Sequence, residues 1–152
     1  LEIGKALANE IQKEGDMMYK HLEIFTHDAP GYQPQVDYGS WRVALLNACD
    51  MYLPDKITYF DRHLETDEVF ILLGGSCGIL LAGAGDKPEN ACCTWLTAGK
   101  IYNVPAGVWH TLFMLPGGKL AVVENKNTGI DNSPRYYFGE EERHLLIPAL
   151  SL

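Results

Sequence analysis

Asp61-Arg62-His63-Leu64-Glu65-Thr66-Asp67-Glu68-Val69-Phe70 is the stretch on which the reading of the fold turns. Asp61 and His63 stand two residues apart at the end of a short apolar run, so on a strand they share one face. Leu64–Asp67 is polar enough to turn the chain, and Glu68 then opens a second, antiparallel run, on a face shared with Phe70 and Leu72. If that face is the interior of a barrel, Glu68 is a carboxylate at the top of an apolar cavity. A buried carboxylate is costly unless it is paired or coordinates a metal. Asp61 and His63 are placed to share that role, while Arg62 points away. Glu65 and Asp67 belong to the turn and are expected to be solvated.

A second stretch, Gly99-Lys100-Ile101-Tyr102-Asn103-Val104-Pro105-Ala106-Gly107-Val108-Trp109-His110, has the same character. Val-Pro-Ala-Gly reads as a turn between two strands, with Pro pre-setting φ and Gly permitting a positive one. His110 lies just inside the next strand and shares its face with Leu112 and Met114. Alone, a histidine in an apolar strand is an ordinary core residue.

Taken together, the two stretches resemble the paired motifs of the cupin superfamily. The first motif is matched by His63, Glu68 and Gly75, and the second by Gly99, Pro105, Gly107 and His110, each at the family's spacing. The motifs span residues 61–114, and the strand pattern extends the resemblance over about 41–138. There are three departures. Asp61 stands where the family usually has its first His, Met114 stands where Asn is common, and Pro54-Asp55 stands where the first motif usually begins with Gly. The resemblance implies an all-β fold, a double-stranded antiparallel β-helix or jelly-roll barrel. It also implies one divalent metal held by His63, Glu68 and His110, with Asp61 as fourth ligand. Two imidazoles and two carboxylates suit Mn²⁺, Fe²⁺, Zn²⁺ or Ni²⁺.

Outward from the motifs the pattern stays β. Runs rich in Val, Ile, Tyr, Phe and Leu, punctuated by Gly, Pro, Asn and Asp, predict strands near 41–47, 57–62, 68–73, 76–82, 93–96, 101–104, 109–114, 119–125 and 135–138. Gly74-Gly75 reads as a tight hairpin turn, and Gly83–Asn90 and Pro116-Gly117-Gly118 as further turns. Residues 28–39, with Pro30, Gly31, Pro34 and Gly39, read as a loop. Ile3, Leu7 and Ile11 recur at four-residue spacing and predict a short N-terminal helix over 2–13. The tail 140–152 begins with a charge cluster and ends in an apolar run. No repeat or linker divides the 152 residues, so one domain, 1–152, is expected.

Composition narrows the function. With 12 basic and 20 acidic residues the formal net charge is −8, and no basic run exists to neutralise phosphates. Nucleic acid and anionic membranes are therefore not expected as partners. Val69–Leu73 is the longest strongly apolar stretch, too short to span a bilayer. Cys49, Cys77, Cys92 and Cys93 match no zinc spacing and read as reduced, mostly buried thiols of a cytoplasmic protein.

The functional expectation is a small metal-binding cupin, an enzyme acting on a small polar acid or sugar-like molecule as lyase, isomerase or dioxygenase. A faint likeness to ureidoglycolate lyase-type cupins points the same way. Glu68 is the candidate base, and Tyr102, Tyr59 and Lys56 are candidate donors. The alternatives are a non-catalytic ligand-binding or sensor cupin, and a metal-free isomerase or epimerase using His63 and Tyr102. Trp41 and Trp109 are expected in the core or wall, and His21, His27 and His144 on the surface. The N-terminal stripe, the apolar tail and the outward Val69 and Ile71 predict a homodimer.

Overall fold

A computed structural model of the chain describes residues 4–5 and 21–146. Ten strands follow one another: β1 (Gly31–Tyr38), β2 (Trp41–Asn47), β3 (Tyr59–Asp61), β4 (Glu68–Gly74), β5 (Cys77–Leu81), β6 (Cys92–Trp95), β7 (Tyr102–Val104), β8 (His110–Met114), β9 (Lys119–Asn125) and β10 (Arg135–Tyr137). A short helix, α1 (Glu140–Leu146), closes the described chain. Of the helix expected over 2–13, only Gly4 and Lys5 are described, both helical; the apolar end of the tail lies outside the described residues.

The strands form two five-stranded sheets, β1-β2-β9-β4-β7 and β10-β3-β8-β5-β6, and every pairing is antiparallel. This is the jelly-roll architecture expected from the motifs. Alternation builds its core: Ala44 and Leu46, Phe70, and Leu120 and Val122 point inward from the first sheet. Cys77 and Ile79, with Leu112 and Met114, meet them from the second. Leu72 packs against the same cluster. A second cluster, with Phe60, Leu80, Trp109, Phe113 and Phe138, covers the other side of the second sheet.

Four expectations need correction. Residues 31–38 are not a loop but strand β1, paired along its length with β2. The proline that argued for a loop is tolerated because β1 is an edge strand, and the register shifts between Pro34 and Val36. Gly74-Gly75 is not a hairpin, because β4 and β5 lie in different sheets; likewise β3 and β4 are not paired. The chain crosses between sheets there, and again at Pro116-Gly117-Gly118, and the two crossings touch. A Cβ on Gly75, whose φ is +64°, would fall 2.4 Å from the Gly117 carbonyl oxygen. Trp41 is exposed and packs on Tyr38, 5.9 Å between ring centroids, whereas Trp109 is buried as expected.

Gly78 shows how tightly the second sheet is fitted. Its register partners are Phe113 on β8 and Trp95 on β6, and their rings meet edge to face over it, 4.8 Å between centroids. A Cβ on Gly78 would lie 2.0 Å from Phe113 Cζ. Gly78→Ala should destabilise the fold by roughly 1–3 kcal/mol in denaturant unfolding, the usual cost of overpacking. Phe113→Leu in the same chain should recover part of that loss, a coupling between contacting residues that additive effects would not produce.

Candidate metal centre

Strand ends bring the motif residues together. Asp61 is the last residue of β3, Glu68 the first of β4 and His110 the first of β8, and Asp61 pairs directly with His110 across the second sheet. His63 follows β3, fixed by a backbone bond from Gly107 N–H to its carbonyl, 2.7 Å. The turn before Glu68 is held by Asp67, which accepts bonds from Asn103 Nδ2 and Ala106 N–H, both 2.9 Å. Asp67 is exposed, as expected of a turn residue, yet it ties the two motifs together.

Glu68 Oε2 lies 2.9 Å from His63 Nε2 and 2.8 Å from His110 Nε2, all three side chains being buried. Asp61 Oδ1 is 3.7 Å from His110 Nε2. Ligand atoms of Asp61, His63 and His110 lie within 4.8 Å of one another. So do those of His63, Glu68 and Glu124. The four residues read from the sequence as ligands therefore converge, with Glu124 as a fifth acidic or basic neighbour.

The outer ring nitrogens decide what the inner ones can do. His110 Nδ1 faces the Val108 carbonyl at 2.9 Å and must donate to it. His63 Nδ1 is 2.7 Å from Ser133 Oγ, whose own hydroxyl donates to Asn132 Oδ1 at 3.2 Å, so His63 Nδ1 donates as well. In their neutral forms both imidazoles then aim an Nε2 lone pair at Glu68. A lone pair cannot bond a carboxylate. Either both rings carry an extra proton, or a cation stands in place of those protons. Outer nitrogens held by a carbonyl and a hydroxyl are the usual support for imidazole metal ligands.

Without an ion the cluster is strongly coupled. Burial disfavours the Glu68 carboxylate, but the bonds from His110 and His63 outweigh it and hold the group at about 2. Burial likewise lowers His110, and Glu68 overcomes this to raise it to about 9. His63 moves upward for the same reasons. Asp61 is raised, burial outweighing the attraction of the histidines.

These groups form the floor of a cavity of about 210 Å³. Tyr59, read from the sequence as a possible donor, lines it. Tyr102 does not: its hydroxyl accepts a bond from Thr97 N–H at 2.9 Å, and the side chain packs against the outside of the inner cluster. Arg62 points away as expected, over the Trp109 ring at 4.4 Å.

Glu124, Tyr32, Tyr52, Ser133 and Arg135 also line the cavity and escaped the sequence reading. For Glu124 the signal was present: Leu120, Val122 and Glu124 alternate inward on β9, and a carboxylate continuing a buried stripe is conspicuous. Tyr32 donates to Glu124, but it comes from the strand mistaken for a loop.

No protein-family model matches the chain, and no curated protein does. Solved structures similar in fold include a cupin-2 domain containing protein from Shewanella frigidimarina, 21% identical over 65% of this chain and 85% of that one, TM-score 0.46. A 3,4-ketoisomerase from Helicobacter canadensis is 21% identical over 60% and 65%, TM-score 0.49. Streptomyces PAC13 with uridine is 13% identical over 77% and 87%, TM-score 0.49. The likeness is one of fold and leaves the chemistry to the residues of this chain.

A histidine raised in the folded state contributes stability that is complete below its unfolded value, ~6.5, and lost as pH rises through its folded value. Chelator-treated protein should therefore melt at progressively lower temperature as pH is raised from ~6.5 toward the value of about 9 held by His110. His110→Gln should flatten that alkaline limb. An equally steep limb in the variant would show that other groups cause it.

Proposed function

We propose that the chain is a cupin enzyme that holds one divalent transition-metal ion at His63, Glu68 and His110, with Asp61 beside them, and acts on a small polar molecule in the cavity above. The observation that carries this reading is the pair of Nε2 atoms within 2.9 Å of one buried carboxylate oxygen, with both Nδ1 groups already committed as donors. Two imidazoles and two carboxylates form a donor set suited to Mn²⁺, Fe²⁺, Zn²⁺ or Ni²⁺. Such an ion, when bound, supplies Lewis-acid polarisation of a carbonyl or carboxylate oxygen.

The chain's own residues do the rest. The Val108 carbonyl and Ser133 hydroxyl orient the imidazoles, and Phe70, Leu112 and Val122 supply apolar lining around them. Glu68 is the group able to take a proton if it does not bind the ion tightly. The described residues hold four free thiols, which suits the reducing cytoplasm, although only Cys77 is buried and Cys92 is exposed, against the expectation of mostly buried thiols; no helix among the described residues is long and apolar enough to cross a membrane.

Purified protein should contain a first-row divalent metal. After stripping, one of these ions at a hundred times its Kd should add about 2.7 kcal/mol of stability. His110→Ala should weaken metal affinity by about a hundredfold or more, beyond the cost of losing an outer partner, while the circular dichroism of the barrel is unchanged. If no divalent ion stabilises the stripped protein, the doubly protonated cluster is the working state and the chemistry is metal-free acid–base. Ligand-dependent stabilisation without turnover would instead identify a binding or sensor module.

We also infer a homodimer. The outward face of the first sheet carries two rows of apolar residues in register: Val43, Val123 and Val69, then Leu45, Ala121 and Ile71. Light scattering should give twice the 16.9 kDa chain mass, and Val123→Lys should shift it to the monomer.

A further inference from the structure

Arg135 offers a way to choose between an acid and a sugar as the substrate. Among the described residues it is the one Lys or Arg side chain lining the cavity, whose lining also includes the carboxylates Asp61, Glu68 and Glu124. The ladder places it: Arg135 pairs with Asp61 across β10 and β3, and Asp61 pairs with His110 across β3 and β8. Guanidinium, carboxylate and imidazole thus stand in one row across the second sheet, leading from the cavity toward the metal ligands.

An arginine in such a row could simply neutralise Asp61, but the geometry is poor for that. The closest approach to Asp61 is from Nε, at 3.9 Å to Oδ2, beyond hydrogen-bonding distance and far from the bidentate fork that an arginine–carboxylate pair prefers. The guanidinium carbon sits 4.5 Å over the Tyr59 ring, which fixes its plane. The Tyr137 hydroxyl stands beside the guanidinium as a further partner. The side chain lines the cavity and is 40% exposed, so it is not closed off from an entering molecule. A planar, oriented and under-used fork is what recognises a carboxylate.

Charge agrees with this. Asp61, Glu68 and Glu124 are offset by Arg135 together with either two protonated imidazoles or the divalent ion that replaces those protons, so the cavity has no excess negative charge to repel a carboxylate in either state.

We propose that Arg135 is the substrate-anchoring residue and that the substrate is a small carboxylic acid: its carboxylate pairs with the Arg135 guanidinium while its oxygen-bearing other end faces His63, Glu68 and His110. The cavity of about 210 Å³ has room for an acid of a few carbons. This assignment rests on the cavity being the active site, as proposed above.

The test uses calorimetry on metal-free and metal-loaded full-length protein, with C2–C5 hydroxy and oxo acids, glycolate, lactate and 2-oxoglutarate, against the neutral amides glycolamide and lactamide. Wild-type protein should bind at least one acid and bind the amides about tenfold or more weakly, the worth of a charge-assisted pair. Arg135→Gln should lose that preference, Arg135→Lys should keep part of it, and both should retain metal content and melting behaviour. Acids bound equally well by Arg135→Gln, or no acid bound by wild-type protein in either state, would overturn the assignment. Failure of metal to bind would sink the metal reading alone, because the metal-free arm still reads the acid preference.

Discussion

Two imidazole nitrogens meet one carboxylate oxygen inside an apolar barrel, and the rest of the structure is organised to keep them there. Burying Glu68 among Phe70 and the floor residues would be prohibitive without those partners. The partners in turn depend on backbone: the Val108 carbonyl sets one ring, and the segment before β10 sets the other through Ser133. The Leu64 N–H bond to the Asn132 carbonyl, 3.0 Å, ties that segment to the first motif. The cluster thus joins β3, β4, β8 and the approach to β10 at one end of the barrel.

The opposite end serves a different need. There the glycines at 75 and 117 let two sheet crossings lie against each other with no side chain between them. Gly118 belongs to the same contact, since a Cβ on it would fall 2.8 Å from Cys77 Sγ. Close packing at this end leaves the polar space at the other, where the ligands are.

Most of this architecture was legible because period-2 alternation and turn residues act locally. Trp41–Asn47 and Lys119–Asn125 read as strands to the residue, and the inward facing of Glu68, Phe70, His110 and Leu112 followed from parity. What could not be read depends on distant partners. The prolines in 28–39 look like loop residues until β2 supplies a neighbour for β1. Gly74-Gly75 has the composition of a hairpin, and only the destination of β5 shows that it is a crossing. Tyr102 shares the parity of Val104, but a hydrogen bond to Thr97 turns its hydroxyl away from the cavity. Arg135 gains meaning only from standing opposite Asp61.

The cluster's sequence separations have a kinetic consequence. His63 and Glu68 are 5 residues apart, but His110 is 42 beyond Glu68 and Ser133 is 70 beyond His63. Every sheet crossing between them must form before those groups share a space, and such closures carry entropy that local contacts do not repay. The ligand set is therefore a product of the finished barrel rather than a nucleus for it. An ion that prefers this set acts on the folded population, slowing escape from it more than it speeds arrival.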